Sequence, residues 1–240
     1  MINYRNVVVK IGSALLSSDN HNVDGFIENI CKQIVVEKNK GTKFTIVTSG
    51  AISKGQEILQ IPDRPNDLED LQALAAIGQQ SLMRMYEGAF ENYSCLTAQV
   101  LLTHDDMNDP NRFLNAKATI TKIISQGVIP IINENDVVAT EEIRLGDNDT
   151  LAAMVSNLVE ADLMLILTNQ KGYFNKNPDK YNDAKLIKKC NIRDLQDSDF
   201  SVNDKSKLGT GGFKTKLSAV KLTTSVNTTS IIASGYDNDV

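Results

Sequence analysis

The sequence predicts an α/β protein, a three-layer α/β/α sandwich with a mostly parallel central sheet. Two patterns carry that expectation. Short β-branched runs alternate with longer helix-like segments along the whole chain, the signature of βαβ units. Several of those runs are apolar at every position, as strands are when helices cover both faces of their sheet. At 240 residues, with 41% hydrophobic and 23% charged residues, the chain is an ordinary globular mixture, long enough for a sizeable core.

Taken in order, the first strand is Asn6 to Ile11, NVVVKI. Val23 to Lys40 follows as a helix, because Ile27, Ile30, Ile34 and Val35 fall on one stripe and Gly41 stands where a C-cap glycine belongs. Lys43 to Thr48 is a strand, Pro62 to Asp67 a Pro- and Asp-rich loop, and Asp70 to Phe90 a helix. Leu96 to Leu102 and Val128 to Ile132 are strands around a helix from Asn111 to Gln126. A helix over Thr150 to Glu160 leads into the strand Leu163 to Thr168. A polar excursion spans 172–204, and the helix Lys214 to Val226 precedes a last strand, Thr229 to Ala233. No repeat of 20 to 50 residues and no low-complexity linker interrupts the series, so one domain over 1–240 is expected.

Charge excludes one class of partner. Lys and Arg number 25 and Asp and Glu 30, a net −5, which speaks against nucleic acid as the main ligand. Apolar stretches such as Leu163 to Leu167 fall far short of the ~20 residues that span a bilayer, so no membrane partner is expected. Met1 to Lys10 has no basic n-region, long apolar core or cleavage site, and the expected location is the cytoplasm. Cys31, Cys95 and Cys190 are dispersed, with only His21 and His104 to join them in a metal site, and read as thiols in a reducing compartment.

In open α/β sheets ligands bind beyond the carboxyl ends of the strands. Four such ends are unusual here: Lys10-Ile11-Gly12-Ser13, Ser49-Gly50-Ala51, Asn133-Glu134-Asn135-Asp136 and Thr168-Asn169-Gln170-Lys171-Gly172. Two loops that open helices join them, 146–150 (GDNDT) and 209–216 (GTGGFKTK). Glycines leading into a helix read either as anion cradles or as tight turns, and Gly12-Ser13, Ser49-Gly50 and 209–212 fit both. Neither GxxxxGK[ST] nor GxGxxG occurs, which disfavours P-loop and dinucleotide-binding folds.

Lys10 and Lys216 lie beside glycine-rich turns at opposite ends of the chain, where two fixed cations would clamp a transferring phosphoryl group. A lone lysine at a strand or helix edge is more often a solvated charge, and only the shared glycine context lifts these two. Asp147 and Asp149 flank Asn148 before the helix at Thr150, so they read as capping residues or as carboxylates that orient the lysines or sit near a magnesium–nucleotide complex. The 133–136 cluster is either an Asn/Asp turn or a zwitterion site, with amides for a carboxylate and a carboxylate for an ammonium.

These residues fall within longer stretches: VVVKIGS (Val7 to Ser13), IVTSGAI (Ile46 to Ile52), ALAAIGQ (Ala73 to Gln79), LLT with RFLNA (Leu101 to Thr103, Arg112 to Ala116), VIPIINENDVVAT (Val128 to Thr140), GDND (Gly146 to Asp149), LTNQKG (Leu167 to Gly172) and GTGGFKTK. On them the chain resembles the amino acid kinase family over essentially its whole length. NEND and RFLNA place the resemblance with the branch that phosphorylates glutamate, apart from sister kinases acting on acetylglutamate, aspartate, carbamate or UMP.

The resemblance implies the amino acid kinase sandwich and transfer of the ATP γ-phosphoryl group to the side-chain carboxylate of L-glutamate, the first step toward proline. It implies Lys10 and Lys216 as phosphoryl-stabilising lysines, with Asp149 organising them. Ser49, Asp136 and Asn148 resemble glutamate contacts, supported by Gly50, Ala51 and Asn133. Lys10, Gly12, Ser13, Thr168, Asn169, Thr210, Gly211, Gly212, Phe213, Lys214, Thr215 and Lys216 resemble the ATP-binding segments, with Mg2+ held through the ATP phosphates and no metal ligand from the protein. Proline as a feedback inhibitor and a homo-oligomer are also implied. Asn169 stands where the family usually has Asp and Phe213 where it has Met, which bears on nucleotide affinity. After TSIIASG the resemblance would lead one to expect a closing strand, and no C-terminal PUA domain is expected within 1–240. The competing readings are a sister kinase using acetylglutamate or a similar acceptor, and a silent nucleotide-binding storage or sensor protein. Retention of Lys10, Lys216 and Asp149 argues against the silent one.

Overall fold

The structure is a computed structural model. It describes residues 4–17, 22–139, 148–176, 178, 181–191, 213–224 and 227–237, with the backbone alone for 213 and 214. The elements in chain order are β1 (Asn6–Ile11), a 3-10 turn (Ser13–Leu15), α1 (Val23–Lys38), β2 (Lys43–Val47), α2 (Ala51–Leu59), α3 (Leu68–Glu91), β3 (Thr97–Leu102), α4 (His104–Asn108), α5 (Pro110–Ser125), β4 (Ile129–Glu134), α6 (Asp149–Leu158), β5 (Leu163–Thr168), α7 (Phe213–Thr224) and β6 (Thr229–Ser234). The strands form one sheet in the order β3-β4-β2-β1-β5-β6, parallel at every pairing.

Strand alternation divides the core in two. Val7, Val9, Ile46 and Ile131 pack with α1, α2 and α3 through Ile27, Ile30, Ile52, Leu74 and Phe90. Val8, Val47, Ile132 and Ile166 pack on the other face with Ile120 of α5, Leu151 and Val155 of α6 and Ala219 of α7. Both faces being covered explains the continuous apolar runs.

The expected strands are present, with one difference that matters. β4 runs on to Glu134, so Asn133 and Glu134 are buried strand residues and the turn begins only at Asn135. Two helices had not been expected. α4 is a single turn closed by a Thr103–Asp106 capping box, after which Asp109 caps α5 with Pro110 in its first turn. α2 escapes propensity because Gly55 sits in its middle. The glycine is required by packing. A Cβ at Gly55 would lie 2.1 Å from the Leu74 carbonyl oxygen, and one at Gly78 would lie 1.9 Å from that of Ala51. These two glycines let α2 and α3 cross almost backbone to backbone. The preceding Gly50 has φ +98°, in the left-handed region, so the 49–51 turn does open a helix. Gly12-Ser13 opens only the three-residue 3-10 turn.

Cys31 is buried, Cys95 half-buried and Cys190 exposed, all as free thiols. Among the described residues, no helix is long and apolar enough to cross a membrane.

Candidate active site

Two polar centres lie at the carboxyl ends of the central strands, one toward each helical layer. Lys10 shares a face of β1 with Val8 and so points toward α6 and α7. Its Nζ lies 2.6 Å from Oδ1 of Asp149, the first residue of α6. Lys216, in the first turn of α7, approaches the other oxygen, Oδ2, at 3.0 Å. The Thr215 hydroxyl donates to that same oxygen at 3.0 Å. Asp149 is fully buried and Lys10 only 3% exposed. Burial alone would raise the Asp149 carboxyl, but the ammonium groups of Lys10 and Lys216 outweigh it and hold the group far below the usual carboxylate range. The two ammonium groups thus favour the ionised carboxylate, which holds both of them in a dry place.

The second centre is built of amides. Asn148 donates through Nδ2 to the Thr48 carbonyl at 2.5 Å and to Asn133 Oδ1 at 2.7 Å. Asn133 in turn donates to Gln79 Oε1 of α3 at 2.7 Å. The Thr48 hydroxyl meets the hydroxyl of the fully buried Tyr86, 2.8 Å away. Asn148 occupies the N-cap position of α6 yet makes no side-chain capping bond. Its amide bonds to Thr48 and Asn133 instead; residues 140–147, Asp147 included, lie outside the described residues. The next residue, Asp149, turns to the lysines, so one backbone step joins the two centres.

Ser49 is buried, and its Oγ has no hydrogen-bond partner. Asp136 is half-buried on a cavity of about 450 Å³ whose wall includes Gln79, Arg84, Gln99 and Leu101. Burial first, and then the charge of Glu134, push the Asp136 carboxyl up to about 7, with Arg64 pulling the other way. Glu134 is buried, 3.5 Å from His104 Nδ1.

At the other crevice the Gly12 amide donates to the Leu167 carbonyl at 3.3 Å, so Gly12-Ser13 after β1 adjoins Thr168-Asn169 after β5. This is the place where the chain switches sides, β1 leading to α1 on one face and β5 onward to α7 on the other. A Cβ on Gly12 would meet the Leu167 carbonyl at 3.4 Å and Lys10 Nζ at 3.9 Å, so the glycine keeps the backbone close to both. Thr168 is buried, and its hydroxyl donates to Oδ1 of the exposed Asn169 at 3.3 Å. Thr210, Gly211 and Gly212 lie outside the described residues; Phe213 and Lys214 begin α7, their side chains outside the description.

Thus Lys10, Lys216, Thr215 and Asp149 converge, as do Asn133 and Asn148, while Asp136 stands on a neighbouring cavity. Sequence reasoning missed Thr48, Gln79 and Tyr86. Gln79 was visible as a polar residue directly after Gly78 on the buried stripe of Leu71, Leu74, Ala75, Gly78 and Leu82.

Fold and site define a class, a parallel-sheet sandwich with a paired-lysine centre at the carboxyl ends of its strands. The model of the amino acid kinase family matches residues 5–234, and the chain belongs to that family. It is 44% identical over 237 residues to the glutamate 5-kinase of Methylococcus capsulatus, covering 98% of this chain and 63% of that protein. To the glutamate 5-kinase of Marinomonas sp. it is 45% identical over 235 residues, with the same 98% and 63% coverage. The chain therefore spans 63% of the length of these relatives. Among solved structures, the carbamate kinase from Giardia lamblia bound to AMP-PNP superposes with a TM-score of 0.66 at 14% identity, over 97% of this chain and 93% of that one. The UMP kinase from Ureaplasma parvum gives 0.64 at 14% identity, over 99% and 93%.

Proposed function

We propose that this protein transfers the γ-phosphoryl group of ATP to the side-chain carboxylate of L-glutamate, forming L-glutamyl 5-phosphate in the cytoplasm, the first step toward proline. The observation that carries the reading is the buried Lys10–Asp149–Lys216 centre, one residue from the amide network of Asn148. The glutamate 5-kinase relatives support the acceptor, and the AMP-PNP bound to the carbamate kinase of the same fold supports an adenine nucleotide.

The acceptor is already an anion at neutral pH, so the reaction needs positioning and charge rather than a general base. One carboxylate oxygen attacks the γ-phosphorus in line, the bond to the β,γ-bridging oxygen breaks, and ADP leaves with the electron pair. Lys10 and Lys216 stabilise the negative charge as it shifts from attacking to leaving oxygen, and Asp149 holds both ammonium groups in place. Ser49, Gly50 and Ala51, at the start of α2, receive a substrate carboxylate, while Asp136 and Asn148, backed by Asn133, receive the ammonium. Gly12, Ser13, Thr168, Asn169 and the 210–216 segment form the nucleotide side. Asp149 is engaged by the lysines, and among the described residues no group of three or more His, Cys, Asp or Glu could hold a metal ion. The donors here suit phosphate oxygens, so magnesium arrives on the nucleotide, whose charge it neutralises. Inhibition by proline and self-association belong to the same proposal.

The test is ATP consumption with Mg2+ and hydroxylamine to trap an acyl phosphate, comparing glutamate, acetylglutamate, aspartate and no acceptor. Hydroxamate formed with glutamate alone is the expected result. Hydrolysis indifferent to glutamate refutes the proposal, and equal use of acetylglutamate refutes the choice of acceptor.

A further inference from the structure

The amide chain from α3 to α6 has a direction, and that direction is set by a group that cannot rotate. The Thr48 carbonyl is backbone and only accepts, so the Asn148 atom facing it at 2.5 Å is the NH2 group. That same NH2 also faces Asn133, which must present its oxygen, and Asn133 then presents its own NH2 to Gln79, which must present Oε1. Both N–H bonds of Asn148 are thereby taken, and its carbonyl oxygen is the atom left for the site. Gln79 holds the far end of this chain. Its Nε2 is buried without a partner, a penalty that an apolar side chain on α3 would avoid. The atom of Gln79 that has a partner is its oxygen.

We propose that Gln79 is a positioning residue for the acceptor site: its Oε1 keeps the Asn133 oxygen turned to the Asn148 NH2 and so supports the Thr48 carbonyl in holding that amide with its oxygen outward, as an acceptor for the substrate ammonium. The proposal rests on the glutamate reading for its kinetic consequence but not for its geometry. Without the Gln79 oxygen, Asn133 loses the partner that fixes its amide and can turn its NH2 toward Asn148, which sets two donors against each other and works against the hold of the Thr48 carbonyl on the Asn148 amide. Binding of the amino acid suffers, whereas the lysine centre on the other face of the sheet is untouched.

The experiment uses Gln79→Met, which keeps length and removes the acceptor, and Gln79→Glu, which keeps an accepting oxygen. The KM for glutamate should rise roughly 10-fold in Gln79→Met, with kcat and the KM for ATP within about 2-fold of wild type. Combined with Asn148→Ala, Gln79→Met should add nothing further, since both act on one amide. Independently of turnover, hydrogen exchange of the Asn148 side-chain amide, followed by NMR, should quicken about 10-fold in Gln79→Met and stay near wild type in Gln79→Glu. An unchanged glutamate KM, fully additive effects or unaltered amide exchange overturns the proposal. If the wild type has no glutamate-dependent turnover, the functional reading fails by itself, and the amide exchange in both variants still decides the role of Gln79.

Discussion

Replacing Asp136 with Asn should make the folded protein more stable at alkaline pH while weakening glutamate binding. Burial and then Glu134 raise the Asp136 carboxyl to about 7 from an ordinary 3.8, against the pull of Arg64. In the unfolded chain the group titrates near its ordinary value. Between about pH 4 and pH 7 the folded state therefore keeps a proton that the unfolded state has released, and stability falls as pH rises through that window. Above about pH 7 both states are ionised and the loss is complete. Each pH unit of such a difference is worth about 1.4 kcal/mol, an upper limit near 3 kcal/mol between pH 5 and 7, and solvent reaching a half-buried group reduces it to on the order of 1 kcal/mol. For a chain of this size that is about 2–4 °C in Tm.

Thermal melts of wild type and Asp136→Asn at pH 5 and pH 8 measure the effect directly. The stability margin of the variant should widen by that amount at the higher pH. The same carboxylate is the proposed partner of the substrate ammonium, so the wild-type KM for glutamate should fall as pH rises through about 7, and the variant should lose that dependence. Its KM at pH 8 should be raised about 10- to 100-fold, the loss of one charge-assisted hydrogen bond. Parallel melting curves, with a margin independent of pH, would refute the reasoning, because they would mean that Asp136 ionises as freely in the folded protein as outside it.

Lys10→Ala and Lys216→Ala should each lower kcat by roughly 10² or more with little change in glutamate KM, read by coupled ADP release; near-normal kcat would return that lysine to a solvated-charge role. Asp149→Asn leaves two ammonium groups without the carboxylate that holds them, so chemical denaturation should find it about 3–5 kcal/mol less stable, and a loss under 1 kcal/mol would contradict a buried ionised centre. Gly78→Ala sets a methyl 1.9 Å from the Ala51 carbonyl oxygen and should cost about 3 kcal/mol by the same assay. Because α2 begins at the Ser49-Gly50 turn, its displacement should also raise the KM for glutamate, and a neutral substitution would mean that the helices part easily.

Periodicity made the sheet and the longer helices legible, since apolar runs with both faces covered and a 3.6-residue stripe leave their pattern in composition. Lys10, Asp149 and Lys216 were legible as candidates, yet their meeting point was not, because they come from β1, α6 and α7 and only the parallel topology unites them. α2 was hidden by the glycine that its packing against α3 demands. Composition left the 133–136 cluster open between an Asn/Asp turn and a zwitterion site; in the fold Asn133 and Glu134 continue β4, Asn133 held by two other amides. For Gln79 the only local signal was a polar residue beside the buried stripe of α3, since its partner Asn133 lies 54 residues away in sequence.

Where local rules are broken, they are broken together. An N-cap asparagine ordinarily accepts from its own helix, worth about 1 kcal/mol, and Asn148 forgoes that bond. A buried serine hydroxyl ordinarily finds a partner, and Ser49 Oγ has none. A half-buried aspartate ordinarily sits beside enough positive charge to stay ionised, and Asp136 does not. Each departure lowers the stability of the free protein, and all three fall at the carboxyl ends of β2 and β4 or at the start of α6. An amino acid lying there would supply the ammonium that Asn148 and Asp136 lack and the carboxylate that Ser49 lacks. Groups left incomplete by the fold at one end of the sheet are more economically explained by the amino-acid site proposed above than as three unrelated defects of packing.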